Sequence, residues 1–411
     1  MGQHTPPLVR KIFRSENIRT VIFSHLSPKD ITSLRGTSCR IRKTITPPVF
    51  QNLTVTFSAL SFSSDRLLAL TRVGHHVKVF RFVFTHAEET YMPSMLDPES
   101  RKLRSLVYEP FSRQGERRNK KNTFGSKSID SLALHNHGIL LMAAMDVPQF
   151  TRALACMENL TSLIVSCPGT PMGEPGRRCV VDYALWSLRI AVERARLNTL
   201  RVVILDPVHL TGLQYLMPGT LAVGNVINSR QIWSRVKTLT MTISAWKELA
   251  YGSPTLYKTN LKFLHQFLEY FTNIEELAFC WTREARSICP LTFDLLPYRN
   301  PRLATKPVRD TSVVNRRLTF PRLSKLRLEN IGVDACDLRS FLSRHLTHFR
   351  EWSLDDVSFT SGTLEEALKP LYVTSAFGEN LDNFSFPRPL TESSELHCPY
   401  CKAEFEAWLM V

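Results

Sequence analysis

An apolar-x-x-apolar-x-apolar unit keeps returning along this chain, and it leaves few folds open. It reads as Val77, Phe80, Phe82, Phe84, then Ile129, Leu132, Leu134, then Leu160, Leu163, Val165. It continues as Leu197, Leu200, Val202, Ile204, and as Val236, Leu239, Met241, Ile243. Ile274, Leu277, Phe279 follow, then Leu323, Leu326, Leu328, then Phe349, Trp352, Leu354, and finally Leu381, Phe384, Phe386. Alternation at the end of each unit is the signature of a short strand with one buried face. The start-to-start spacings run from 26 to 52 residues, close to the range expected of stacked repeats.

Amphipathic stretches lie between the units: Tyr183–Arg196, Leu261–Phe271, Cys336–Leu346 and Leu364–Leu371. The repeating element is therefore strand, loop, helix. One such element cannot bury its own apolar face, and stacking many of them makes a continuous core. The expected fold class is α/β, a solenoid of strand-loop-helix repeats occupying residues 51–411, the leucine-rich-repeat-like character of which rests on the resemblance given below. A basic, turn-rich segment at 109–127 and a Pro-rich insertion at 281–320 interrupt it. The competing architecture is a βαβ enzyme with a parallel sheet. Such enzymes usually carry a phosphate loop or a nucleophile elbow, and G-x-G-x-x-G, G-x-x-x-x-G-K-[ST] and G-x-S-x-G are all missing.

Residues 14–46 read differently, as short helices. Ser15 can cap a first helix bearing Ile18, Val21, Ile22 and Leu26 on one stripe. Ser27-Pro28 is a start signal for a second, with Ile31 and Leu34 as its apolar face. Cys39–Ile45 suggests a third, basic helix that Pro47-Pro48 should stop. The stretch NIRTVIFSHLSPKDITSLRGTSCRIRK resembles the F-box motif, and the whole chain is similar to fungal F-box proteins with degenerate leucine-rich repeats. The matching positions are Ile18, Ile22, Phe23, Leu26, Pro28, Ile31, Leu34 and Cys39, with Phe13 just ahead of them.

That resemblance implies an F-box-like three-helix hook over residues 10–50, docking through those nine side chains on a Skp-family adaptor and so on a cullin ligase core. The repeats would hold a target protein, making the chain the substrate-recognition subunit of an SCF-type ubiquitin ligase, with no catalytic residues and no cofactor. Anchors such as Ile18, Ile22 and Leu26, spaced four residues apart, are what helix-in-groove recognition requires. The same side chains could instead cap the end of the repeat domain. The alternative reading of the whole chain is a repeat scaffold or a nucleic-acid-associated protein without a ligase partner.

Charge bears on that alternative. The 411 residues carry a net +15, with an isoelectric point near 9.6. Residues 1–60 hold nine Lys/Arg against two Asp/Glu, and 101–121 hold eight against two. Direct nucleic-acid binding would want aromatic side chains interleaved with these cations, and no recognised module does this. His397, Cys398 and Cys401 offer half of a zinc site, but no second pair stands at suitable spacing. His75-His76 and His135/His137 read as loop packing. No uninterrupted apolar run reaches 18 residues and no secretory leader is recognisable, so the expected setting is intracellular, in cytoplasm or nucleus, with reduced thiols.

Overall fold

The computed structural model describes residues 15–37, 39–87, 90–92, 137–169, 178–218, 229–244, 261, 263–282, 287–291 and 318–373. Three helices open the described chain: α1 (Glu16–Ser24), α2 (Pro28–Thr37) and α3 (Cys39–Phe50). Ser15 accepts from the Ile18 amide at the start of α1. A reciprocal cap starts α2. Ser27 Oγ accepts from the Asp30 amide at 3.2 Å, while the Asp30 carboxylate accepts from the Ser27 amide at 3.1 Å and from its hydroxyl at 2.6 Å. Those bonds to Ser27 hold the Asp30 carboxyl below its ordinary pKa.

One expectation fails in α3, which runs through Pro47 and Pro48 to Phe50. Proline's fixed φ is compatible with helix, but each ring removes an N–H donor and crowds the carbonyl four residues back, a local cost that the burial of Ile41 and Ile45 in α3 offsets. Ile41 and Ile45 are buried in α3, which packs against α2, residues 74–76 and β1.

The rest of the described chain is α/β. Strands β1 (Asn52–Thr56), β2 (Val79–Val83), β3 (Tyr91–Met92), β4 (Ser162–Ser166), β5 (Arg178–Cys179), β6 (Val202–His209), β7 (Thr238–Ser244) and β8 (Glu276–Trp281) come first. They are followed by β9 (Ser287–Ile288), β10 (Lys325–Glu329), β11 (Ile331–Asp334), β12 (Glu351–Asp355) and β13 (Ser358–Ser361). Eight of them form one sheet in the order β1-β2-β4-β6-β7-β8-β10-β12, and every neighbouring pair is parallel. The order never doubles back, so each strand lies beside the previous sheet strand of the chain. The intervening helices are α4 (Ser64–Val73), α5 (His137–Ala144), α6 (Val147–Ala155), α7 (Val180–Ala195), α8 (Leu213–Leu216), α9 (Ser229–Trp233), a helical stretch over 263–268, α10 (Ala335–His345) and α11 (Leu364–Val373).

Seven of the nine sequence units fall within described residues, and each supplies a sheet strand. The two at Ile129–Leu134 and Leu381–Phe386 lie outside them, as does the basic segment 109–127. The residue two positions before each strand is buried in every case: Val77, Leu160, Leu200, Val236, Ile274, Leu323 and Phe349. Backbone pairing extends into those loops, with the Arg201 amide on the Thr161 carbonyl, Lys237 on Arg201, Glu275 on Lys237, Ser324 on Glu275 and Arg350 on Ser324, all between 2.7 and 2.9 Å. The loops ahead of the strands therefore stack as regularly as the strands do.

The phase of the fourth unit differs from the sequence reading. Val203 and Leu205 are buried, while Val202 and Ile204 are half-buried on the opposite face. Register places Val203 beside Leu163 and Leu239, so this unit is Leu200, Val203, Leu205. Because residues 202–205 are all apolar, alternation could not decide which face is buried.

The insertion at 281–320 also contributes core at both ends. Trp281 belongs to β8, Cys289, Leu291, Leu318 and Phe320 are buried, and β9 pairs with β11 in a second parallel sheet, β13-β11-β9. In the two repeats built on β10 and β12 a left-handed residue makes the corner between the sheets: Asn330 at φ 55° and Asp356 at φ 51°. Asn and Asp tolerate that conformation better than other non-glycine residues. The Asn330 side chain also donates to the Trp281 carbonyl of the preceding repeat at 2.9 Å.

Candidate interaction surface

The described helices cover one face of the long sheet. Leu163, Val165, Val203 and Leu205 point to Leu188 and Val192 of α7, Leu216 of α8, Trp233 of α9 and Phe267. Helix α7 is nearly all buried, and its Glu193 accepts from Arg189 (3.1 Å), Ser229 (2.6 Å) and Trp233 Nε1 (3.0 Å), tying α7 to α9 within the core. The opposite face carries no described helix. All-parallel sheets are normally covered on both sides, so this face, which no described helix covers, is a candidate interaction surface.

Register assigns that face row by row. The central row reads Thr54, Arg81, Ile164, Ile204, Thr240, Ala278, Arg327 and Ser353. Its middle is apolar and half-buried, helped by Val79 and Val202 of the adjacent row. Charges gather at the two sides and are paired among themselves. Arg81 lies 3.8 Å from Asp206; Lys325 reaches Glu351 at 3.0 Å and Glu276 at 3.6 Å; Arg327 reaches Glu329 at 3.2 Å and Asp355 at 3.3 Å. The hydrogen bond to Glu351, then the charges of Glu351 and Glu276, hold the Lys325 ammonium above its usual pKa. Exposed pairs of this sort contribute little stability. Their effect is to leave the face without a strong net field.

The N-terminal helices supply the second exposed apolar group. Ile18 is 47% exposed and Val21 59% exposed. Ile22, Phe23, Leu26, Ile31 and Leu34 are half-buried, and Cys39 is an exposed free thiol. Pro28 opens α2. Phe13 lies outside the described residues, as do His397, Cys398 and Cys401.

One chemically rich cluster gave no sequence signal. Just after β2 and at the last residue of β6, His86 Nε2 and His209 Nδ1 stand 3.0 Å apart, and His209 Nε2 is 3.2 Å from Asp182 Oδ1 on α7. Cys179 Sγ lies 3.5 Å from His86 Nδ1 and 3.2 Å from Thr90 Oγ1, whose own proton goes to the Ala87 carbonyl at 2.7 Å. With the Asp182 carboxylate as terminal acceptor, His209 donates from Nε2 and His86 donates from Nε2 to His209, while the Cys179 thiol donates to Thr90 Oγ1. Burial, then the His209 charge, pushes the His86 pKa down to about 3. Burial, then Asp182, pushes the Cys179 thiol up to about 12. Cys179 is 3% exposed. A closed, protonated thiol beside a neutral imidazole is the reverse of an activated nucleophile, so the chain serves to join β2, β5, β6 and α7. His86 and His209 are 123 residues apart, and only the stacking of repeats brings them together.

Among the described residues no group of three or more His, Cys, Asp or Glu is placed to hold a metal ion, and no helix is long and apolar enough to cross a membrane. No known protein family and no curated protein matches the sequence.

Proposed function

We propose that this protein is a non-enzymatic target-recognition subunit of an SCF-type ubiquitin ligase. On this reading the fold is a degenerate leucine-rich-repeat-like solenoid carrying an N-terminal F-box-like hook. The hook docks on a Skp-family adaptor, and the face of the parallel sheet that no described helix covers receives the target. The observation that carries the reading is the display of Ile18 and Val21, both exposed, on α1. Exposed apolar side chains on such a helix are suited to a groove in a partner.

Co-purification with the Skp-family adaptor tests it. Ile18→Asp plus Val21→Asp changes only exposed positions and should abolish binding while leaving circular dichroism and thermal unfolding as they were. Ile22→Asp plus Leu26→Asp should act in the same direction. Retention of the adaptor by a correctly folded double variant would refute the assignment.

A further inference from the structure

We infer that the rim formed by the loops entering the sheet strands is a docking site for an acidic polypeptide segment. This goes beyond the ligase reading and holds whether or not the N-terminal helices engage an adaptor.

The open sheet face and the rim differ in which cations are neutralised. Those on the face all have carboxylate partners. On the rim, Lys78, Arg196, Arg201, Arg235, Arg322 and Arg350 sit in the loops before β2, β6, β7, β10 and β12, and among the described residues none of them has a carboxylate within ion-pair distance. The carboxylates of the same rim are Glu158 and Glu275, and Lys237 already holds Glu275 at 2.8 Å. The stacked loop backbone aligns Lys78, Arg201 and Arg350 with Thr161, Lys237, Glu275 and Ser324, each one residue before its strand, and Arg235 and Arg322 stand two residues further back. Seven strands at about 4.8 Å spacing make a rim of about 29 Å, the reach of roughly nine residues of extended peptide.

Neither helix-dipole complementation nor nucleic-acid binding accounts for the row as well. Cations near helix C-termini complement the helix dipole, but Arg322 follows residues 318–321, which are not helical. A nucleic-acid strand would want bases stacked on exposed aromatic rings, and in the described rim loops Phe271, Phe320 and Phe349 are buried while Tyr270 is half-buried with Arg230 over its ring at 5.7 Å. Arg201 and Arg235 use Nη1 donors on Asn198 and Leu200, and their remaining guanidinium edges, with those of Arg196, Arg322 and Arg350, suit carboxylates.

The test uses the full chain alone. The probe is a fluorescent peptide of about twelve residues alternating Glu and Ser, long enough at ~3.3 Å per residue to span the rim. Fluorescence anisotropy should report binding that weakens with salt. Arg322→Glu plus Arg350→Glu should weaken it about tenfold, while Lys325→Gln plus Arg327→Gln on the open face should leave it within about twofold. Urea unfolding of both variants checks that the fold is kept. No binding by the wild-type chain, equal weakening by the open-face variant, or tighter binding of a single-stranded RNA or duplex DNA of equal charge would each overturn the inference. Adaptor binding plays no part in the measurement, so its result stands apart from the ligase assignment.

Discussion

Acid should destabilise this fold through one buried side chain in particular. His86 is 6% exposed, and its pKa falls from 6.5 to about 3 in the folded protein. Below pH 6.5 the unfolded chain takes up a proton that the folded chain refuses until about pH 3. Stability is therefore full above pH 6.5 and is lost progressively as pH falls from 6.5 to about 3. At pH 4.5 the gap is about two pH units below the unfolded value, or about 3 kcal/mol at 1.36 kcal/mol per unit. That is a large share of a typical domain's stability. The groups facing His86 are His209, Cys179 and the Tyr91 ring, with Asp182 beyond His209. His345 is also held below its ordinary pKa by burial, so it adds to any raw acid slope. The comparison that isolates His86 is urea unfolding of wild type and His86→Gln at pH 7 and 4.5. The variant should be weaker at pH 7, because a link of the chain is gone, and should lose about 3 kcal/mol less on acidification. Parallel pH slopes for the two proteins would show that His86 does not carry the acid response.

Three further outcomes follow from the packing. Ile204→Glu, on the open face, should cost less than about 1 kcal/mol in urea unfolding, whereas Leu205→Glu should unfold the domain by burying a charge. Gly74→Ala should lower stability by about 1–3 kcal/mol, measured from the thermal midpoint, because its Cβ would sit 2.5 Å from the Cys156 carbonyl oxygen. Brief maleimide treatment followed by peptide mass mapping should label the exposed Cys39 and Cys336 and spare buried Cys167 and Cys179 until denaturant is added.

Several features were readable from residue order because they depend on local chemistry. Ser27-Pro28 marks the start of α2, since the cap hydroxyl and the fixed proline φ act within one turn. Units such as Val236, Leu239, Met241, Ile243 alternate cleanly with Thr238, Thr240 and Thr242, so both the strand and its buried face are legible. The amphipathic stretch at 336–346 is α10 within one residue at each end. Where the local signal is ambiguous or distributed, residue order does not decide. Residues 202–205 alternate nothing, and the Pro pair ahead of Phe50 disfavours helix locally yet lies inside one. The chain from Cys179 to Asp182 draws its members from β5, the segment after β2, the end of β6 and the first turn of α7.

Residue order alone dictates that strands alternate with helices and where the N-terminal helices begin, because hydrophobic period and capping are properties of neighbouring residues, but it leaves β1 out of the repeating units. Which face of β6 is buried, which histidines meet, and which cations keep their charge unpaired are settled only when the repeats pack. Those outcomes depend on register between strands tens of residues apart, and a one-residue change of register exchanges the two faces of a strand. The net charge illustrates the division. Its sign is legible from composition, but the sorting into a neutralised sheet face and an unpaired rim exists only once the repeats are stacked.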